Sequence, residues 1–137
     1  MARLGTIYPS RARRQPGGVE SAVSGLLKQA MGNIDAASTA IISAATGAEP
    51  ATGEECRALL KTGLPVRSVT SRLGHGVEAA FPAAVAIAAL AVQQGQLFPP
   101  MPNVPIEDKV IPSLRHAIVT SVGHWRGEGA VLVEAVR

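Results

Sequence analysis

Four residues of this 137-residue chain could in principle act as nucleophile, proton carrier or metal ligand: Cys56, His75, His116 and His124. A single cysteine excludes an internal disulfide and any cysteine-based metal site. In "GEECRALLK", Cys56 sits on a helical pattern with no histidine nearby, which predicts a buried or half-buried structural thiol. The three histidines are isolated and have no clustered carboxylates, so no metal centre and no cofactor are expected. His75 stands in a Gly74-His75-Gly76 turn just ahead of a long apolar run. At a helix start the macrodipole disfavours protonation, so a neutral imidazole there can donate one hydrogen bond to a carbonyl. The plainer reading is a histidine that satisfies backbone groups at a strand–helix turn. His124 and Trp125 fall in "HWRGEG", between two apolar strands, as either a pocket plug or an exposed hairpin tip. His116 is expected only to flank a strand, and Arg72 either meets an acidic partner or, as is commoner, stays solvated.

These residues must be positioned by a regular alternation of elements. "ARLGTIY" (2–8) reads as a strand, followed by a loop rich in Arg, Pro and Gly. Val19, Val23, Leu26, Leu27 and Ala30 share one helical face, with Gly32 as the stop. "STAIISAA" (38–45) is a second strand. Thr52 and Glu55 have capping-box spacing and open a helix to about Lys61, stopped by Gly63. "PVRSVTS" (65–71) alternates as a third strand. The apolar run Ala79–Val92 has fourteen residues with Pro82 inside it, short of the about 20 a membrane span requires. Closed off by Glu78, Gln93 and Gln94, it reads as a core helix, so no membrane is expected as a partner. It is apolar on nearly all sides and should be covered from more than one direction. Five prolines between Gly95 and Pro112 mark an extended connection. "HAIVTSVG" (116–123) and "AVLVEAV" (130–136) close the chain as a hairpin. The order is β-α-β-α-β-α-β-β over residues 1–137 as a single domain: an α/β fold with a mixed sheet and helices packed on it.

Composition agrees with a packed core: 47% apolar, 17% charged and 3% aromatic residues. The net charge of +3 is mild, and four arginines (Arg3, Arg11, Arg13, Arg14) lie within the first fourteen residues. "RARR" has no aromatic platform beside it, so a solvated loop is expected rather than a nucleic-acid patch. No apolar leader segment is read at the N-terminus, and a cytoplasmic setting is expected.

In that order, three segments resemble the C-terminal half of β-ketoacyl-acyl-carrier-protein synthases, the condensing enzymes of the thiolase fold. "VRSVTSRLGHGVEAAFPAAVAIAALAVQQGQLFPP" is similar to the family's strand, lysine-bearing turn ending in Gly-His, alanine-rich helix and G-x-x-P-P exit. "IISAATGAEPATGEECRALL" is similar to the segment that reads Asn-Ala-His-Gly-Thr-x-Thr-Pro before a helix. "IVTSVGHWRGEGAVLVEAV" is similar to the Ser-Phe-Gly-Phe-Gly-Gly gating hairpin and the closing strand. The resemblance covers essentially the whole chain from Arg3.

The departures fall on the catalytic positions. The family uses a nucleophilic cysteine, two histidines and a lysine, and its cysteine lies in an N-terminal half that has no counterpart in these residues. Cys56 falls on the helix after the first histidine motif and does not match it. The first histidine position holds Ala45, with Pro50 on the motif's proline; the lysine position, five residues before the second histidine, holds Thr70. Only His75 survives. In the hairpin, Ser121 and Gly123 match, Val122 and His124 replace phenylalanines, and the turn is about one residue longer.

Condensation requires a thiolate and paired donors for the charge that develops on the thioester oxygen. The resemblance therefore implies a chain that does not condense alone. A ketosynthase-like subunit resembling a chain-length factor, acting with a synthase-like partner chain in fatty-acid or polyketide synthesis, is the leading expectation. Two alternatives stand beside it. The chain completes an acyltransferase whose cysteine is on another polypeptide, with His75 orienting a thioester carbonyl. Or it is a self-associating module, a homodimer that binds acyl groups or acyl carrier protein. The resemblance assigns Gly123, His124 and Trp125 to the gate of an acyl pocket.

Overall fold

The computed structural model describes residues 1–124 and 127–136. Strands β1 (Ala2–Ser10), β2 (Thr39–Ser43), β3 (Val66–Ser68), β4 (His116–Val122) and β5 (Glu128–Ala135) form one mixed sheet in the order β1-β5-β4-β2-β3. β2 pairs parallel with β3 and β4, while β5 runs antiparallel to both β4 and β1. Three helices cover the two faces: α1 (Gly18–Met31) and α2 (Ala51–Leu60) one, α4 (Ala80–Gln94) the other.

Alternation along the strands sorts the core into these two layers. Ile41, Ile118 and Leu132 face α1 and α2, together with Val23, Leu27 and Leu59. Ile42, Val119, Val131 and Val133 face α4, together with Ala84, Ala88 and Val92. A sheet with both faces covered leaves its central strand no polar side, and all five residues of β2 are buried. Small alanines let α4 lie close on the sheet, and Gly95 ends the helix in the left-handed region at φ 69°.

The order of elements read from the sequence is the one observed, with differences at three places. β3 is only three residues long, because the chain turns at Thr70 into a one-turn helix, α3 (Thr70–Leu73). The capping box does not form. α2 begins at Ala51, Thr52 Oγ1 has no partner among the described residues, and Glu55 points into the core. Finally, α4 is covered from one side only. Val77–Gln94 has the length and composition of a membrane span, yet Ala80, Ala84, Ala88, Ala91 and Val92 are buried in the fold, most of them on the sheet. The opposite stripe, Pro82, Ala86 and Leu90, is exposed.

The sheet edge on the same side is also apolar and exposed. Leu4 and Ile7 of β1 pair with Val133 and Val131, so they lie on the α4 side, and they are 57% and 64% exposed.

Candidate functional site

Parallel pairing brings the C-terminal ends of β2, β3 and β4 to one edge of the sheet, which gathers three of the expected positions there. Ala45 lies two residues past β2, Thr70 two past β3, and Gly123 one past β4. The strand ends are tied by Ala44 N donating to Thr120 O (3.0 Å) and Val69 N donating to Ser43 O (3.0 Å).

None of these residues offers condensing chemistry. Ala45 is buried, and its only polar tie is its N–H, which donates to Ser43 Oγ at 3.2 Å. Thr70 Oγ1 shares a hydrogen bond with Ser68 Oγ at 3.0 Å and carries no charge for a lysine's role. His75 is exposed. It stands one residue ahead of Gly76, which opens a 3-10 turn, Val77–Ala79, that runs directly into α4. Val77 in that turn holds φ 49°, a conformation that costs a β-branched residue of order 1–3 kcal/mol. Cys56 is half-buried; burial pushes its thiol up, with Glu55 and Glu49 adding to the effect, which disfavours the nucleophilic thiolate. No group of three or more metal-ligating side chains occurs among the described residues.

Gly123 and His124 stand where the β4–β5 hairpin leaves the sheet; Trp125 lies outside the described residues. The hairpin is braced from the first loop. Arg14 donates to Glu128 Oε1 and to Gly123 O, both at 2.6 Å, and Ala12 N donates to Glu128 Oε2 at 2.7 Å. "RARR" is thus only partly a solvated loop, because Arg14 is an internal brace. His124 lines a cavity of about 440 Å³ whose other walls include Pro16, Val19, Ala48, Pro50 and Ala51. Those walls are mainly apolar, and the polar groups beside them are engaged elsewhere. Glu54, for example, accepts from the N–H groups of Gly17, Val19 and Glu20 at 2.9, 2.9 and 3.2 Å. It caps α1 from the neighbouring helix, and the Gly17 N–H above all holds its carboxyl below the usual range.

Two buried acids behind this edge escaped sequence reading. Glu55 reaches Thr120 Oγ1 (2.6 Å) and Ser43 Oγ (3.1 Å) across paired strands. It pairs with no cation among the described residues, and burial raises its pKa despite both hydroxyls. Glu107 takes both guanidinium nitrogens of Arg72 at 2.9 Å, plus the N–H groups of Ser68 (2.7 Å) and Met101 (2.8 Å). Burial pushes its carboxyl up most strongly, but Arg72 and the two amides outweigh that and hold it low. Arg72, expected to be solvated, is therefore paired, and it also stacks 4.8 Å over Phe98.

No family model and no curated protein matches the chain. Solved structures do. Ketosynthase twelve of the bacillaene polyketide synthase from Bacillus amyloliquefaciens superposes with a TM-score of 0.73 at 17% identity, over 99% of this chain and 30% of that one. The chain carries part of a ketosynthase fold. The ishigamide ketosynthase/chain length factor gives 0.73 at 18% identity (98% and 38%), and an oxazolomycin ketosynthase domain of Streptomyces albus 0.71 at 16% (97% and 44%). This ketosynthase-like chain spans less than half the length of each of these neighbours.

Proposed function

We propose that this chain is a non-catalytic ketosynthase-like subunit that works with a synthase-like partner chain in fatty-acid or polyketide synthesis, much as a chain-length factor does. One observation carries the reading: the outer stripe of α4, Pro82, Ala86 and Leu90, is apolar and uncovered, and Leu4 and Ile7 are exposed on the same side of the sheet. Contiguous exposed apolar surface of this kind marks a protein interface. The occupant we assign is the complementary half of a thiolase-like fold, since the structural neighbours extend well beyond the matched part. Ala45 and Thr70 support the absence of catalysis, because Ala45 has no side-chain donor at the family's histidine position and Thr70 has no charge at its lysine position.

Co-expression with ketosynthase-like chains encoded nearby, followed by native mass spectrometry, tests this. A defined heteromer is expected; a stable monomer or homodimer in the presence of those chains refutes it. A second reading, in which His75 orients a thioester carbonyl for a cysteine on the partner, rests on His75 being exposed at this edge. In the assembled complex, His75→Ala with unchanged turnover removes that reading.

A further inference from the structure

The opposite end of the sheet carries a second cavity, independent of the ketosynthase-like edge. α1 ends at Met31, but the sheet runs on beneath it by one more row: Arg3, Glu134 and His116, paired across β1, β5 and β4. A cavity of about 510 Å³ opens there, lined by that row together with Asn33, Asp35 and Arg115 among others. Cavities of this volume accommodate small organic ligands.

The charges in it are not equally engaged. Glu134 Oε2 is held by Arg3 Nη2 at 2.6 Å. Asp35 accepts from Ala37 N (3.0 Å) and Ser38 Oγ (2.9 Å). Arg115, by contrast, has its backbone fixed on both sides: its N–H donates to Ser38 O (2.8 Å), and its carbonyl accepts from Ala135 N (2.9 Å). Its guanidinium forms no hydrogen bond or ion pair among the described residues. Next to it, His116 Nδ1 is shielded from solvent and has no hydrogen-bond partner among the described residues. A ligand oxygen does not reach so shielded an atom, so the ring nitrogen His116 can offer the cavity is Nε2.

We propose that this cavity binds a small hydroxylated organic anion, its carboxylate or phosphate held by the Arg115 guanidinium and the His116 imidazole. A guanidinium on a pinned backbone is suited to bidentate recognition of an oxyanion. Asn33 and the neighbouring carboxylates of Asp35 and Glu134 are acceptors suited to hydroxyl groups, and they disfavour a ligand that is anionic throughout. The site lies at the sheet end away from Ala45 and Thr70, so it stands or falls separately from the proposed assembly.

Isothermal titration calorimetry of the full 137-residue chain, in whatever assembly it purifies, is the test, with glycerol 3-phosphate, glycerate and glycerol as probes. Saturable binding of either anion, with none of glycerol, is expected; which anion binds distinguishes phosphate from carboxylate recognition. Arg115→Gln should weaken that binding about tenfold or more, as loss of a charge-assisted bond does. His116→Phe should weaken it less, and Arg11→Gln, an exposed cation at the other end of the sheet, should leave it unchanged. Arg115 is exposed, so its variant is expected to fold, and an unshifted melting midpoint checks this. Absence of saturable binding by the unmodified chain, or equal binding by Arg115→Gln, overturns the proposal.

Discussion

The two sides of the sheet are finished differently. On the α1–α2 side, apolar residues turn inward and the outer surface is ionic, with Glu20 bridging Arg57 (2.7 Å) and Lys61 (2.5 Å); Leu60 is an isolated exception. On the α4 side, residues 79–92 include no charge at all, and Leu90 is 59% exposed. A helix that meets water on its outer face carries a polar stripe, and α1 and α2 obey that rule. α4 breaks it from Ala80 to Val92, until Gln93 and Gln94 end the helix. The difference teaches that the first layer is finished as a boundary with solvent and the second is not, which is what the proposed partner chain would require.

If so, the α4 side should be unfinished only on its outer surface, and its inner supports should matter as much as any core group. The strongest is the buried Glu107 carboxylate, which clamps the proline-rich connection onto β3 beside the buried Arg67. Arg67 itself donates to the carbonyls of Phe98, Glu107 and Lys109. Glu107→Ala leaves two amides without their acceptor and Arg72 with only the carbonyls of Ser68 and Pro99, and should destabilise the chain by about 3–5 kcal/mol in denaturant unfolding. A loss below about 1 kcal/mol, the level of a surface pair, would show that the connection does not depend on this cluster.

A smaller effect is read by pH and divides the buried acids of α2 from one another. The carboxyls of Glu54 and Glu107 are lowered in the fold, so each stabilises it above the ordinary carboxylate range near 4.5, and that stability is lost as pH falls through the folded values. Glu55 has the opposite sign. Its raised folded pKa gives stability that is complete below the ordinary range and lost as pH rises towards the folded value. Glu55→Gln keeps the hydrogen-bonding capacity and removes the titration. The variant should therefore lose less stability than the parent between mildly acidic and mildly alkaline solution. Parallel curves of unfolding midpoint against pH for the two proteins would contradict the assignment.

Much of the architecture was legible because periodicity survives in the sequence. The α1 stripe, the β2 run and the closing hairpin each repeat at the spacing of the element they form. Ala45, Thr70 and Gly123 were singled out by the family resemblance and read as lying at strand ends; the strands stop one or two residues earlier, and their parallel pairing is what gathers the three. What escaped was set by distant contacts. Glu55 matched a capping box, yet it turned inward, because Ser43 and Thr120 supply hydroxyls that no local pattern announces. Glu54 caps a helix that begins 36 residues before it, replacing the side-chain cap that Gly17 cannot provide. Arg72 read as solvated because its partner, Glu107, lies 35 residues away in a stretch without periodicity. The apolar surround of α4 was plain in the sequence; that only one side is covered required the neighbouring elements to be seen.

The most direct measurement places charge on each layer in turn and reads assembly against stability. The double variant Ala86→Glu/Leu90→Glu alters the exposed stripe of α4, and Leu60→Glu alters the exposed apolar residue of α2. Both should leave the chain's own unfolding within about 0.5 kcal/mol of the parent, as exposed substitutions do. In native mass spectra with a co-expressed ketosynthase-like chain, the α4 variant should lose the heteromer and the α2 variant should keep it. A heteromer that survives the α4 charges would contradict the account, since α4 would then be no interface.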